Sequence, residues 1–328
     1  MRYAFTPFVA YLLMSILTAC DKTHEKYNLP TFPKQTTATV ASLGSVMTNV
    51  VYGIEAVGDT LIVIGYGDGK YVHLHDKQSG RLLSSGVSRG RAENEILSIS
   101  GYTWDAESQQ LVINDAQQGV LKSFVLSDNF ALKSQIELPQ KGATGAYKLH
   151  DDFFVTFNTN FDANGNHRLC LINNDLVVDS SNYCPIDSPD LATNVYIQPR
   201  IAISSDGAHL AIGTLYGGVL ELYSLSSNNI SHMATRRFIE PKIMDATLSA
   251  ELGFVYMTAT KDYIFTITNG FAPLAEPLNR IMIFDWEGQP KHQITTDVAL
   301  AAICVDADGD IYCISQTSED ITLGKLTD

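Results

Sequence analysis

The sequence predicts an all-β protein built from repeated four-stranded units, and three observations carry that reading. Strand formers dominate. There are 15 Tyr and 14 Phe beside many Val, Ile and Thr, and they fall in short alternating runs split by Gly, Asn, Asp and Ser. From Thr36 onward no segment sustains a 3.6-residue apolar period over about twelve residues. The runs also repeat. Tyr71-Val-His-Leu-His-Asp76-Lys-Gln-Ser-Gly80-Arg-Leu-Leu83 and Arg280-Ile-Met-Ile-Phe-Asp285-Trp-Glu-Gly288 share one plan: an alternating strand, an Asp-opened turn with Gly, and a returning strand.

Fainter copies begin at Leu121, His167 and Val219. With Asp76, Ser127, Asn173, Ser226 and Asp285 taken as equivalent turn residues, the spacings are 51, 46, 53 and 59. Each copy follows another hairpin, as in Tyr102–Asp115, Ile201–Thr214 and Ile303–Ser315. A four-stranded unit of this size is a propeller blade, roughly 40–50 residues. The units run 53–86, 98–139, 145–182, 196–239 and 243–295, and a sixth, 300–327, has only three strands. An open edge would invite aggregation. The spare segment Thr37–Leu43 supplies the missing strand. The expectation over 36–328 is a six-bladed β-propeller of four-stranded antiparallel blades, closed by an N-terminal strand.

Before that body, Arg2 precedes an apolar run from Phe8 to Leu17, too short for the ~20 residues that span a bilayer. Leu17-Thr18-Ala19-Cys20 closes it, and Asp21, Lys22, His24, Glu25, Pro30 and Pro33 follow. This resembles a bacterial lipoprotein signal and its lipobox. The resemblance implies a signal peptide over 1–19, lipid on Cys20, a tether over 20–35 and a membrane-anchored protein in the cell envelope, at the outer membrane.

A composition of 45% hydrophobic and 18% charged residues excludes wholesale disorder. Lys and Arg number 22 against 36 Asp and Glu, a formal charge of -14, which leaves no electrostatic footprint for nucleic acid. The five cysteines are too few for a disulfide scaffold.

The stretch through Gly90, Arg91, Ala92, Glu93, Glu95 and Ile96 to Trp104-Asp105 and Leu111–Asp115 resembles NHL-type repeats. It is similar to the TolB-like six-bladed propeller lipoproteins of the Bacteroidota type. In that family a Gly-x-Gly-Pro-x-Glu-Phe loop links adjacent blades. Gly90, Glu95 and Ile96 match it, while Ala92 and Glu93 stand where the family has Gly and Pro. The resemblance implies the fold and brings no common reaction with it.

Several motifs invite chemistry and have plainer readings. Gly86-Val-Ser88-Arg-Gly90 matches a nucleophile elbow, which needs alternating strands and helices. Here it reads as a turn between blades. Asp306-Ala-Asp308-Gly309-Asp310 and Asp162-Ala-Asn164-Gly165 resemble calcium loops, but their glycines are misplaced for one, and Asp-Gly between apolar strands marks a hairpin. His73 and His75 share one strand face and could hold zinc only with a third ligand. No metal or cofactor is expected. Cys304 and Cys313 can bridge if the intervening turn has two residues, and stay thiols if it is bulged. Cys170 and Cys184 fall in one blade, and their state is open.

In a propeller the loops between second and third strands share one face with the links between blades. Here the long segments Ser88–Leu97, Asn158–His167, Cys184–Val195 and Thr268–Asn279 are all of that kind. Loops on a rigid scaffold are where function concentrates. Arg89, Arg91, Glu93, Tyr147, Tyr196, Arg200, Phe271 and Arg280 are the ligand-contact candidates, with Phe161 and Tyr183 beside them, because Arg and aromatic residues lead contact surfaces. The expected role is a binding or scaffold propeller for an envelope protein, a peptide or a glycan. The alternative is a propeller enzyme, a glycan lyase or hydrolase or a metal-dependent esterase, with its site at the channel mouth.

Overall fold

The computed structural model describes residues 27–327 apart from 128, 140–142, 160, 162–166, 197, 244–250 and 318–319. The expected signal peptide, Cys20 and the first part of the tether lie outside the described residues, as does the Asp162-Ala-Asn164-Gly165 segment. The described chain contains 24 strands and one short helix.

Strand β1 (Lys34–Ser45) comes first. Blade 1 is β2 (Val50–Val57), β3 (Thr60–Gly67), β4 (Lys70–Asp76) and β5 (Leu82–Ser88). Blade 2 is β6 (Ile99–Asp105), β7 (Gln110–Asp115), β8 (Val120–Val125) and β9 (Ala131–Glu137). Blade 3 is β10 (Gly145–Lys148), β11 (Phe153–Phe157), β12 (Leu169–Asn173) and β13 (Leu176–Ser181). Helix α1 (Pro189–Val195) lies in the next link. Blade 4 is β14 (Arg200–Ile203), β15 (His209–Gly213), β16 (Gly218–Ser226) and β17 (Asn229–Ile239). Blade 5 is β18 (Tyr256–Ala259), β19 (Tyr263–Thr268), β20 (Arg280–Asp285) and β21 (Pro290–Thr296). β22 (Leu300–Val305), β23 (Ile311–Gln316) and β24 (Ile321–Thr327) are the three strands of blade 6. Each blade is an antiparallel meander in chain order.

The fourth strand of blade 6 is β1, as its position in the sequence predicts. From Thr39 to Ser45 it runs antiparallel to β24. Its first half does something the sequence did not announce: Lys34–Ala38 lie parallel to β21, the outer strand of blade 5. One strand therefore joins two blades into a single eight-stranded sheet. The chain is docked even before β1. The Asn28 N–H donates to the Arg237 carbonyl at 3.1 Å, and the Phe32 ring is buried in the core between blades 4 and 5. Asn28 and Phe32, expected in the tether, are thus docked on the body, because Phe32 has apolar surface to bury.

Six apolar clusters hold the body, one at each seam between neighbouring blades, from blades 1 and 2 round to blades 6 and 1. This ring of seams fixes the blade count at six. Strands in the middle of each blade face a neighbour on both sides, so they read as near-continuous apolar runs: Leu61, Ile62, Val63 and Ile64 of β3 are all essentially unexposed.

The turn residues equated by sequence stand at the end of each third strand. Two of them show why Asp opens the turn. The Asp76 carboxylate accepts the Ser79 N–H at 2.8 Å, and that of Asp285 accepts the Glu287 and Gln289 N–H groups at 3.1 and 2.7 Å. Helix α1 departs from the all-β expectation. Its start is encoded by Ser188, whose hydroxyl caps the Leu191 N–H at 3.4 Å, followed by Pro189 and Asp190. Two turns are too few to display a period.

The Asp306 turn is a hairpin. Its carboxylate accepts the Asp308 and Asp310 N–H groups at 3.0 and 2.9 Å, and Gly309 takes a φ of 86°. Cys304 stands opposite Tyr312, the bulged register, so it does not face Cys313. The two thiols point into different seams, Cys304 toward blade 1 and Cys313 toward blade 5. All four described cysteines are free thiols.

Candidate functional site

Two places could serve function, the central channel and the loop-rich face. The innermost strand of every blade contributes to the wall of one cavity of about 1640 Å3. Tyr52 and Glu55 line it from blade 1, Tyr102 and Trp104 from blade 2, Tyr147 from blade 3, Arg200 from blade 4 and Tyr256 from blade 5. The Tyr102 and Tyr256 hydroxyls are hydrogen-bonded at 3.0 Å, although they come from blades on opposite sides of the ring. They meet in front of blade 1, and glycine makes that possible: a Cβ on Gly53 would stand 1.9 Å from the Tyr102 hydroxyl oxygen. Tyr147 leans in the same manner on Gly101 and Gly145.

Beside this tyrosine pair stands Glu55. Burial pushes its carboxyl up to about 7, with no opposing charge to pull it down. Burial also raises Tyr102 and Tyr256 well above the usual phenol range, and the Glu55 charge raises both further. Arg200 begins β14, at the link end of the channel. Its guanidinium is lowered by burial, and its buried Nε has no hydrogen-bond partner.

The loop-rich face follows from strand direction. Links between blades and second-to-third-strand loops emerge together, and the long segments 89–98, 182–199 and 269–279 belong there. Hairpin turns such as 58–59, 174–175 and 227–228 emerge on the opposite side. The Arg89–Leu97 loop, which carries the blade-linking motif, is tied down at several points. The buried Lys122 ammonium donates to the Glu95 carbonyl at 2.7 Å and the Ala92 carbonyl at 3.5 Å. The Glu95 carboxylate accepts the Ala92 N–H at 2.9 Å. Asp115 accepts the Leu97 N–H at 2.7 Å, and the Tyr71 hydroxyl donates to the Leu97 carbonyl at 2.9 Å. Ile96 is fully buried in the seam. A Cβ on Gly90 would collide with the Glu95 carboxylate. The three motif positions that match are therefore the three that build the loop.

The loop holds Arg91 and Glu93 out in solvent and Arg89 over the Tyr66 ring at 5.5 Å. Of the other candidates, Tyr147 and Arg200 meet in the channel wall. Arg280 packs its guanidinium on Gly270 at the start of β20. Two expectations are corrected. Tyr196 is 1% exposed and donates its hydroxyl to Glu221 inside the seam between blades 3 and 4. Phe271 is 5% exposed and packs against Phe238 and Phe254. Both sit in long loops, but those loops fold back over apolar seams and bury their rings. The Phe161 ring centre lies 5.9 Å from the buried Arg168 guanidinium, and the Tyr183 ring packs at a tilt on His232.

Glu55, Tyr102 and Tyr256 were not singled out by sequence. A signal exists: a lone acid two residues after a glycine in the strand Val-Tyr-Gly-Ile-Glu-Ala-Val. The remaining motifs keep their plain readings. Ser88 ends β5 and accepts from the Lys70 ammonium at 2.7 Å. His73 and His75 are buried, bonded through Nδ1 to the Ser85 hydroxyl and the Gly80 carbonyl. Among the described residues, no three His, Cys, Asp or Glu side chains gather as metal ligands would.

Residues 31–308 match the family described as TolB-like 6-blade propeller-like. The fold is shared with a Bacteroides fragilis protein described as exported. That match has 10% identity and a TM-score of 0.60, covering 90% of this chain and 98% of the other. A gluconolactonase of Xanthomonas campestris is similar at 13% identity and a TM-score of 0.53, over 87% and 89% of the two chains. No curated protein matches the sequence. With 31–308 matched and six blades closed by β1, the chain belongs to the TolB-like 6-blade propeller-like family.

Proposed function

We propose that this protein is exported, held at the outer membrane by lipid on Cys20, and binds an envelope protein, a peptide or a glycan through its loop-rich face. The observation that supports this most is the Arg89–Leu97 loop. Three side chains from two blades, with Glu95 of the loop itself, fix its backbone, yet it offers Arg89, Arg91 and Glu93 outward. A loop ordered in advance loses little entropy on binding, and an Arg fork suits carboxylates and aromatic faces. Contact is favoured over turnover on this face because these groups are exposed to water.

The test replaces both arginines. Arg89→Ala with Arg91→Ala should lower recovery of the cross-linked partner from its own envelope at least tenfold, about 1.4 kcal/mol. The melting temperature should hardly move. Asn228→Ala, on the opposite face, should leave recovery unchanged. Equal recovery from the double variant and the wild type would refute the reading. The anchor is tested separately: Cys20→Ala should move the protein out of the detergent phase.

A further inference from the structure

The channel holds a group that no contact in the fold explains. Glu55 faces the cavity from the turn half of β2. Among the described residues it has no ion pair and no hydrogen bond. Lys148 and Lys261 also line the cavity, but neither is paired with it. Glu55 is half-buried in the cavity wall, and a partly desolvated carboxylate with no partner is costly. Its neighbours are aromatic. Tyr102 and Tyr256 stand close enough to feel its charge, and Tyr52 and Trp104 share the same wall. One of the Tyr102 and Tyr256 hydroxyls donates to the other at 3.0 Å, and neither is hydrogen-bonded to Glu55.

We propose that the channel wall around Glu55 binds an organic cation, a protonated amine that sets its ammonium against the Glu55 carboxylate and among the rings of Tyr52, Tyr102 and Tyr256. An ammonium supplies the charge and the N–H donors that Glu55 lacks, and aromatic rings attract a cation at half-buried positions such as these. A formal charge of -14 over the chain raises the local concentration of cations. The volume, about 1640 Å3, is ample for the organic body of such a ligand. Arg200, at the link end of the same cavity, repels an ammonium and directs it toward Glu55. A neutral polyol could hydrogen-bond to Glu55 and stack on the same rings, and it is the rival that the experiment must separate.

The experiment titrates the protein with benzylamine and with its neutral counterpart benzyl alcohol, following heat and Trp fluorescence. Benzylamine should bind at least tenfold more tightly. Its affinity should also rise about tenfold from pH 6 to pH 8, as a carboxyl near 7 ionises while the amine stays protonated. Benzyl alcohol should show neither the affinity nor the pH dependence. In Glu55→Gln the preference for the amine should vanish. Equal affinity for the two probes, a flat pH profile for the amine, or undiminished amine binding by a folded Glu55→Gln would each overturn the proposal. The first two need only the wild type, so they stand even if the variant fails to fold.

Discussion

The seam between blades 3 and 4 and the seam between blades 4 and 5 are neighbours, and opposite chemistry holds them. The second is aromatic. Phe32, Phe238, Phe254, Phe271 and Phe284 pack with ring centroids 5.5–6.5 Å apart, and Trp286 closes the cluster. The first has a charge at its heart. Arg168 and Glu221 are both 0% exposed and meet through two hydrogen bonds of 2.7 Å. Tyr196 and Tyr223 donate their hydroxyls to the same carboxylate, and Arg168 also gives a hydrogen bond to the Tyr183 carbonyl at 2.6 Å. The Arg168 guanidinium lies 4.5 Å from the Tyr196 ring centre and 5.2 Å from that of Phe157. Aromatic packing tolerates exchange, since a neighbouring ring can shift into a small gap. A desolvated ion pair stands or falls as a unit.

The largest expected effect breaks that unit. Glu221→Ala strands a guanidinium without its anion inside the seam and should cost about 3–5 kcal/mol, read as a drop in the denaturant midpoint. Arg168→Met with Glu221→Leu removes both charges and should recover most of that loss. If the double variant is as unstable as the single one, lost packing and not an orphaned charge is responsible. The aromatic seam should yield less: Phe238→Leu is expected to cost about 1–2 kcal/mol, because Leu stays apolar and the three neighbouring rings can close part of the gap it leaves. A larger loss would show that this seam is the less forgiving of the two.

A third seam adds a pH term to the comparison. His73 and His75 stand opposite Val63 and Leu61, on the side of blade 1 that packs against blade 6. Burial lowers the pKa of both. Below about 6.5 the unfolded chain takes up protons that the folded one refuses, so stability should fall with pH there. Glu55 works the other way. Between 4.5 and about 7 the folded protein keeps a proton that the unfolded chain has released, so this contribution fades as pH rises. Glu55→Gln should therefore steepen the gain in stability from pH 5 to pH 6.5, by on the order of 1 kcal/mol. Parallel melting curves for wild type and variant across that range would contradict it.

The seams also show how far the sequence could be read. Blades, Asp-opened turns and the need for a closing strand were visible because alternation and turn chemistry are local. The fate of rings outside strands was not. Tyr196 and Phe271 sit in long loops, where no period separates inside from outside, and the composition of a loop does not say which seam it covers. The network of Arg168 and Glu221 spans two blades and 53 residues, so neither residue signals the other. Glu55 occupies one polar position in an apolar strand, a pattern that an exposed strand would also produce. What was legible is what neighbours in sequence decide; what was missed is decided by neighbours in space.

Sharing β1 between blades 5 and 6 has a consequence for the order of events when the chain is made. Thr36 pairs with Ile294 and Thr39 with Thr327, partners 258 and 288 residues apart. During synthesis the first strand of the body is therefore the last to find its neighbours, and closing so long a loop is slow. Until blades 5 and 6 exist, β1 has exposed backbone and no sheet to join. Keeping it from other partners is then a task for whatever accompanies the chain, because the fold itself can protect that strand only when nearly all of it has been made.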